Sequence, residues 1–320
     1  MYKWLFVFLV FTSSISFTTQ VNAMQCIDED REISIRYLGV GALDIHFKGQ
    51  RILTDPFYSP QSIWKIITFD KYRSNPESIN KALGPYQKNV DAVLVGHGHY
   101  DHLADLPAIK NFLKDDAIIV GSTTSNNMIT PSYDQKNLLS ISEKNANQWH
   151  YIANGWIRIK AQLSEHAPQF MNYNLAKGEV NKPRKKLPRY IWSWSQGKNL
   201  SYIIDFLSEK KSEKVYKRIF MQTSASNFPV GYQPITDNNE VDVMFVAAAS
   251  FDNVENYPYG LLRNYKPQET FLIHWENFLT PWMDAPSKLG TIDFDKLIKN
   301  SNKAHSGAIT VPNPHDCIYL

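Results

Sequence analysis

Gly96-His97-Gly98-His99-Tyr100-Asp101-His102 decides how this chain is read. Three histidines and one carboxylate fall within six residues. On a helix, His97 and His99 would point to different sides. On a glycine-bearing loop they can converge, because Gly98 has no side chain to obstruct the turn. Neutral imidazole binds borderline metals through either ring nitrogen, and a carboxylate adds charge and can orient a bound water. The run follows residues 92–95, Ala-Val-Leu-Val, a short apolar strand.

The same arrangement recurs downstream. Residues 157–163 alternate as a strand and lead into Glu165-His166. Residues 218–221 form a strand that leads into Gln222-Thr223-Ser224. Residues 270–273 form a strand that leads into His274. Polar side chains just past the carboxyl ends of buried strands are where α/β architectures place their sites, since the strand is rigid and the loop is free to vary. Upstream, residues 33–54 read as a strand meander. Leu43, Ile45 and Phe47 face one way, Asp44, His46 and Lys48 the other, and Asp55-Pro56 ends the last strand. Asp105 is the expected N-cap of a helix through Pro107 to Leu113, and Asp293 to Ile298 reads as another helix. Residues 189–195, with Tyr190, Trp192 and Trp194 in alternation, and residues 200–206 read as a hairpin. His46 reads as solvated, and His150, His305 and His315 have no motif around them.

Composition excludes several classes. The chain has 320 residues, 43% of them hydrophobic, too many for a disordered chain. Its net charge of +3 gives no reason to expect a nucleic-acid partner. No apolar run approaches the about 20 residues of a membrane span. Two cysteines cannot make a disulfide-dense scaffold or a four-cysteine zinc module.

Lys3, an apolar stretch over residues 4–11, a Ser/Thr-rich segment and Val21-Asn22-Ala23 follow the order of a secretory signal peptide, with cleavage expected after Ala23. The expectation is a signal peptide over 1–23, a single domain over 24–320 and a periplasmic or secreted product. In an oxidising compartment Cys26 and Cys317, at opposite ends of the mature chain, either pair or remain two thiols; sequence does not show whether their α-carbons approach.

His97-x-His99-x-Asp101-His102 resembles the signature of the metallo-β-lactamase fold superfamily. The surrounding order fits as well: a meander, the motif after an apolar strand, then isolated histidines after later strands. The resemblance extends over about residues 33 to 280, and His274-Trp275-Glu276-Asn277-Phe278 is similar to the closing histidine motif of the branch of lactonase-like and N-acyl-phosphatidylethanolamine phospholipase D-like hydrolases. It implies an α/β fold, an αβ/βα four-layer sandwich with two β-sheets flanked by helices and the metal site at one edge. It also implies that His97, His99 and His166 form one metal site and Asp101, His102 and His274 a second.

One departure from the pattern stands out. Dinuclear members carry a metal-bridging aspartate after the strand corresponding to 218–221, and here Gln222 is the matching residue. A neutral amide cannot offset the repulsion of two cations about 3.5–4 Å apart. The expectation is one tightly bound zinc, with occupancy of the second site left open and iron or manganese ranking behind zinc. Asp205 and Asp252 are the candidate substitute carboxylates. The implied chemistry is hydrolysis of an ester, lactone, amide or phosphodiester by a metal-bound hydroxide that Asp101 orients. The alternatives are a non-catalytic or degenerate metal- or ligand-binding member and an iron redox enzyme. The expected substrate is a small or lipid-like molecule, with the cations over residues 182–189 favouring an anionic one. Oligomeric state is left open.

Overall fold

A computed structural model of the chain describes Cys26 and residues 31–84, 87–169, 175–282, 284–290 and 292–320. The expected signal peptide lies outside the described residues. Two seven-stranded sheets pack face to face. The first holds β1 (Ile33–Tyr37), β2 (Leu43–Phe47), β3 (Gln50–Thr54), β4 (Val90–Leu94), β5 (Leu113–Ser122) and β6 (Leu138–Ile141). The second holds β7 (Trp149–Ile152), β8 (Ile157–Ser164), β9 (Asn199–Leu207), β10 (Val215–Gln222), β11 (Val243–Ala247), β12 (Glu269–Ile273) and β13 (Ala308–Thr310). The last strand, β14 (Cys317–Tyr319), returns to pair with β1 at the edge of the first sheet. Helices α1 (Ile63–Ile67), α2 (Pro76–Leu83), α3 (Tyr100–Leu103) and α4 (Thr123–Ile129) belong to the first half, α5 (Tyr259–Tyr265) and α6 (Phe294–Ala304) to the second. This is the four-layer sandwich that the resemblance implied.

Each sheet begins as an antiparallel meander and continues with parallel strands. β1, β2 and β3 pair antiparallel, and β3 to β6 pair parallel. β7 to β10 pair antiparallel, and β10 to β13 pair parallel. Alternation assigns the faces. Ile35, Ile45, Phe47 and Ile52 of the first sheet meet Ile159, Ile204, Met221 and Phe245 of the second in one buried cluster. Val93 and Ile119 face outward onto the α2 side, and Phe220, Met244 and Leu272 face outward onto α5 and α6. Parallel strands covered on both faces are accordingly apolar, throughout in β11 and at every residue but Asp91 in β4.

Two expected elements differ. Asp105 does not cap its helix. Residues Leu106–Phe112 form a 3₁₀ segment, and the Asp105 carboxylate instead accepts from the Tyr58 backbone N–H at 2.7 Å and the Ser59 hydroxyl at 2.9 Å. Residues 189–195 are not a hairpin strand. Tyr190 makes one bridge to Lys71, and Ile191–Ser193 is a single 3₁₀ turn. The reason is that the three aromatics separate. Trp194 is buried in the α2-side cluster, Trp192 donates its indole N–H to the Ile66 carbonyl at 2.7 Å, and Tyr190 is exposed. No single strand face could satisfy all three.

Cys26 and Cys317 are disulfide-bonded, with α-carbons 5.5 Å apart. The bond ties Cys26 to the first residue of β14.

Candidate metal centre

The motif loop is held by backbone from three directions. Val95 N–H donates to the Val120 carbonyl at 2.8 Å, Gly96 N–H to Asp55 Oδ1 at 2.6 Å, and Gly98 N–H to the Gln196 carbonyl at 2.9 Å. A Cβ on Gly96 would strike the Thr223 side chain, and one on Gly98 would strike the Ser195 carbonyl. Both glycines are therefore demanded by close approach. His99 then starts the single turn of α3, which carries Asp101 and His102. Sequence reading expected loop here throughout.

Residues far apart in the chain meet at this loop. One ligand atom each of His97, His99 and His166 lies within 4.8 Å of the others, and the same holds for Asp101, His102 and His274. His97 Nε2 is 2.9 Å from His99 Nδ1. The ring centroids of His97 and His166 are 4.7 Å apart, and those of His99 and His166 are 4.9 Å apart. The two groups touch through His97 and His102, whose rings are 3.9 Å apart. Asp101 Oδ2 lies 3.5 Å from His102 Nε2 and 3.7 Å from His274 Nε2.

Outer hydrogen bonds fix which nitrogen faces inward. His99 Nε2 donates to the Leu175 carbonyl at 2.9 Å, His166 Nδ1 to the Ala167 carbonyl at 2.6 Å, and His102 Nδ1 to Asp55 Oδ2 at 2.8 Å. Each bond leaves the opposite ring nitrogen for the centre, the arrangement by which proteins orient metal-binding imidazoles. His274 has a left-handed backbone, φ 54°. Its N–H donates to the Tyr37 hydroxyl at 2.9 Å, and that hydroxyl donates to Glu276 Oε2 at 2.6 Å. A non-glycine residue in this region costs about 1–3 kcal/mol, so its surroundings must impose the conformation.

Electrostatics favours a cation. Burial, then the neighbouring histidines, lowers the pKa of His97 and His166, and burial foremost lowers that of His99 to about 4. Burial alone would raise the Asp101 carboxyl, but His102 and His274 outweigh it and hold it below the usual carboxylate range. Burial likewise opposes charge on His102, where Asp55 and Asp101 prevail and raise its pKa. Without a cation, His97 Nε2 donates to the His99 Nδ1 lone pair at 2.9 Å; a divalent cation would displace that proton and take both nitrogens as ligands. The donor set fits a metal of the zinc type.

Asp55 was visible in the sequence only as the end of a strand. Its partner His102 is 47 residues away, so nothing local marked it. The Asp55→Asn variant removes the anionic acceptor that orients His102. We expect it to weaken cation binding at the Asp101–His102–His274 group by roughly 10–100-fold. Competition against a chromophoric chelator measures this, and unchanged affinity would remove Asp55 from the site.

The expected stand-in for a bridging carboxylate, Gln222, shares the outward face of β10 with Phe220. Its amide donates to Ser164 Oγ at 2.6 Å and Ser226 Oγ at 3.0 Å. Thr223 is the residue of this turn that lies near Asp55 and Gly96, close to where a Cβ on Gly41 or Gly96 would sit. Neither residue supplies a negative charge. The two candidate substitutes are engaged elsewhere: Asp205 pairs with Arg158 and Arg218, and Asp252 pairs with Lys296. The remaining histidines lie outside both groups. His46 is 3.2 Å from Asp44, His305 bonds the Pro267 carbonyl, and His315 packs on Trp282.

The chain belongs to the beta-lactamase superfamily: the family model described as the beta-lactamase superfamily domain matches residues 34–216, more than half of its length. Among solved structures, the metallo-beta-lactamase fold protein YhfI from Bacillus subtilis is similar over 89% of this chain and 99% of that one, with a TM-score of 0.54 at 12% identity. A metallo hydrolase from the archaeon Ignicoccus hospitalis is similar over 90% and 98%, with a TM-score of 0.52 at 15% identity. CmlA, a diiron beta-hydroxylase from Streptomyces venezuelae, is similar over 91% of this chain and 54% of its own, with a TM-score of 0.54 at 13% identity. At such identities these likenesses show the fold, and the fold hosts more than one chemistry. A search of curated proteins gave no match.

Proposed function

We propose that the protein is an exported, zinc-dependent hydrolase of a small or lipid-like, anionic substrate. The observation that carries this reading is the contact of two ligand groups, three histidines beside an Asp–His–His set, in a member of the beta-lactamase superfamily. Zinc is favoured over iron and manganese because imidazoles dominate the donors and only one carboxylate is among them. A bound cation would supply Lewis acidity and bring the pKa of water in the site toward neutrality.

The chain's own residues do the rest. His97, His99 and His166 would hold the tighter ion. Asp101, His102 and His274 would hold the weaker one, since a single carboxylate serves the pair. The Asp101 carboxylate orients the attacking water and accepts its proton. Asp55 and the Leu175 and Ala167 carbonyls keep the imidazoles aimed inward. An apolar groove lined by Val40, Phe57, Phe278 and Trp282 runs beside His274, whose ring is 5.2 Å from that of Phe278. Support for export comes from the leader-like residues 1–23 and from the Cys26–Cys317 bond, since such bonds persist in oxidising compartments.

The test is turnover by chelator-stripped protein reloaded with zinc, on aryl ester, lactone, amide and phosphodiester probes. Hydrolysis of at least one class is expected. The Asp101→Asn variant should lose roughly 10²–10⁴-fold in rate while the three-histidine group keeps its ion. A fully loaded wild type with no turnover on any probe would favour the non-catalytic reading, motivated by the uncharged Gln222–Thr223 turn.

A further inference from the structure

Large apolar side chains crowd one exposed segment. Around α1, Trp64 is 72% exposed, Phe69 65% and Ile67 56%, with Ile63 exposed beside them. None of the five residues of α1 is buried. A second segment joins this one edge to edge. Tyr190 bridges Lys71, Tyr72 N–H donates to the Arg189 carbonyl at 3.0 Å, and the Phe69 and Trp192 rings are 5.7 Å apart. The second segment adds exposed Leu187 and Tyr190. Monomeric soluble proteins rarely display a contiguous patch of this kind without a use for it.

The charge around the patch is one-sided. Residues 63–73 and 182–190 together carry eight Lys and Arg against one carboxylate, Asp70. The whole chain has a net charge of only +3, so the remainder of the molecule is net negative. Among the described residues, the lysines and arginines of these two segments make no ion pair. Exposed Trp, Phe and Ile on joined segments whose cations make no ion pair match a bilayer surface bearing anionic headgroups, where aromatic rings sit at the interface and lysines meet phosphates. A second copy of this chain fits poorly, because it would bring like charges together.

The face is also wired to the centre. From Asp55 the chain passes Phe57, which packs edge-on against Tyr100 at 5.7 Å, and Pro60 in the groove, then reaches Ile63. From Tyr190 it passes to Gln196, whose carbonyl holds the Gly98 N–H. We infer that residues 63–69 and 182–190 form a docking face for an anionic lipid surface, which brings the groove and histidine cluster to lipid-borne substrate. The substrate clause rests on the hydrolase reading; the docking clause does not.

Co-sedimentation of the mature, disulfide-bonded chain with phosphatidylcholine vesicles, with and without phosphatidylglycerol, tests the docking. Binding is expected only where phosphatidylglycerol is present, and it should weaken as salt rises. The Lys185→Glu/Lys186→Glu and Trp64→Ser variants should each bind roughly tenfold more weakly or worse. These positions are exposed, so their melting midpoints should match wild type, and that comparison separates lost docking from lost folding. Absence of vesicle binding by the folded wild type would overturn the inference and leave the hydrolase reading standing. Equal binding to neutral vesicles, or a Trp64-dependent dimer in place of vesicle binding, would overturn it too. Vesicle binding by a protein with no turnover on any probe would retain the docking face and remove the substrate clause.

Discussion

The His97→Ala variant is expected to lose its tightly held cation and, with it, hydrolytic turnover. His97 is in ring contact with three of the other ligands, at 4.7 Å from His99 and His166 and 3.9 Å from His102. Removing it leaves His99 and His166 with too few donors for a tetrahedral structural or catalytic site. The loss of affinity should exceed the roughly 10–100-fold that outer partners such as Asp55 command. Folding is a separate matter. His97 is fully buried and its pKa is depressed, so the metal-free wild type already holds a crowded neutral imidazole there. Metal analysis by mass spectrometry, with circular dichroism as the folding check, reads the outcome. A folded His97→Ala protein that retains wild-type metal content would place the ion elsewhere.

The second large effect concerns stability. Asp205 is fully buried on β9 and accepts from Arg158 Nε at 2.9 Å, Arg218 Nε at 2.6 Å and Arg218 Nη2 at 2.9 Å. The Asp205→Ala variant leaves two guanidinium groups without their shared buried partner. Arg218 keeps Asp237, which is half-exposed. Breaking a buried pair from one side costs about 3–5 kcal/mol. Against a typical domain stability of about 5–15 kcal/mol, that is a large fraction. Urea denaturation measures it, and a loss under about 1 kcal/mol would contradict the network. Metal content per folded chain should not change, because Asp205 serves the arginines and not the histidine cluster.

How much of this was legible in the sequence follows from how local each signal is. The meander over 33–54 shows because strands repeat every two residues, and Leu43, Ile45 and Phe47 keep that period. The centre shows because His97, His99, Asp101 and His102 are dense in sequence, and because His166 and His274 each follow a strand closely. Asp55 does not show, since its role is defined only by His102 across the fold. The turn after β10 demonstrates how sharply alternation acts. A one-residue difference decides whether Gln222 or Thr223 looks toward Asp55, and sequence reading chose the outward-facing one. Tyr190, Trp192 and Trp194 alternate as a strand would, yet tertiary partners send them to the surface, to the Ile66 carbonyl and to the core. The apolar face around α1 was passed over because exposure of Trp64 and Phe69 depends on what the rest of the molecule leaves uncovered.

The most direct test is anomalous X-ray scattering at the zinc edge from crystals of the protein grown with zinc. One strong peak is expected about 2.0–2.1 Å from a ring nitrogen of each of His97, His99 and His166. A weaker peak should lie near Asp101, His102 and His274, about 3.5–4 Å from the first. No peak at the three histidines, or His166 turned out of reach of the other two, would contradict the claim that these distant stretches of chain jointly hold a cation.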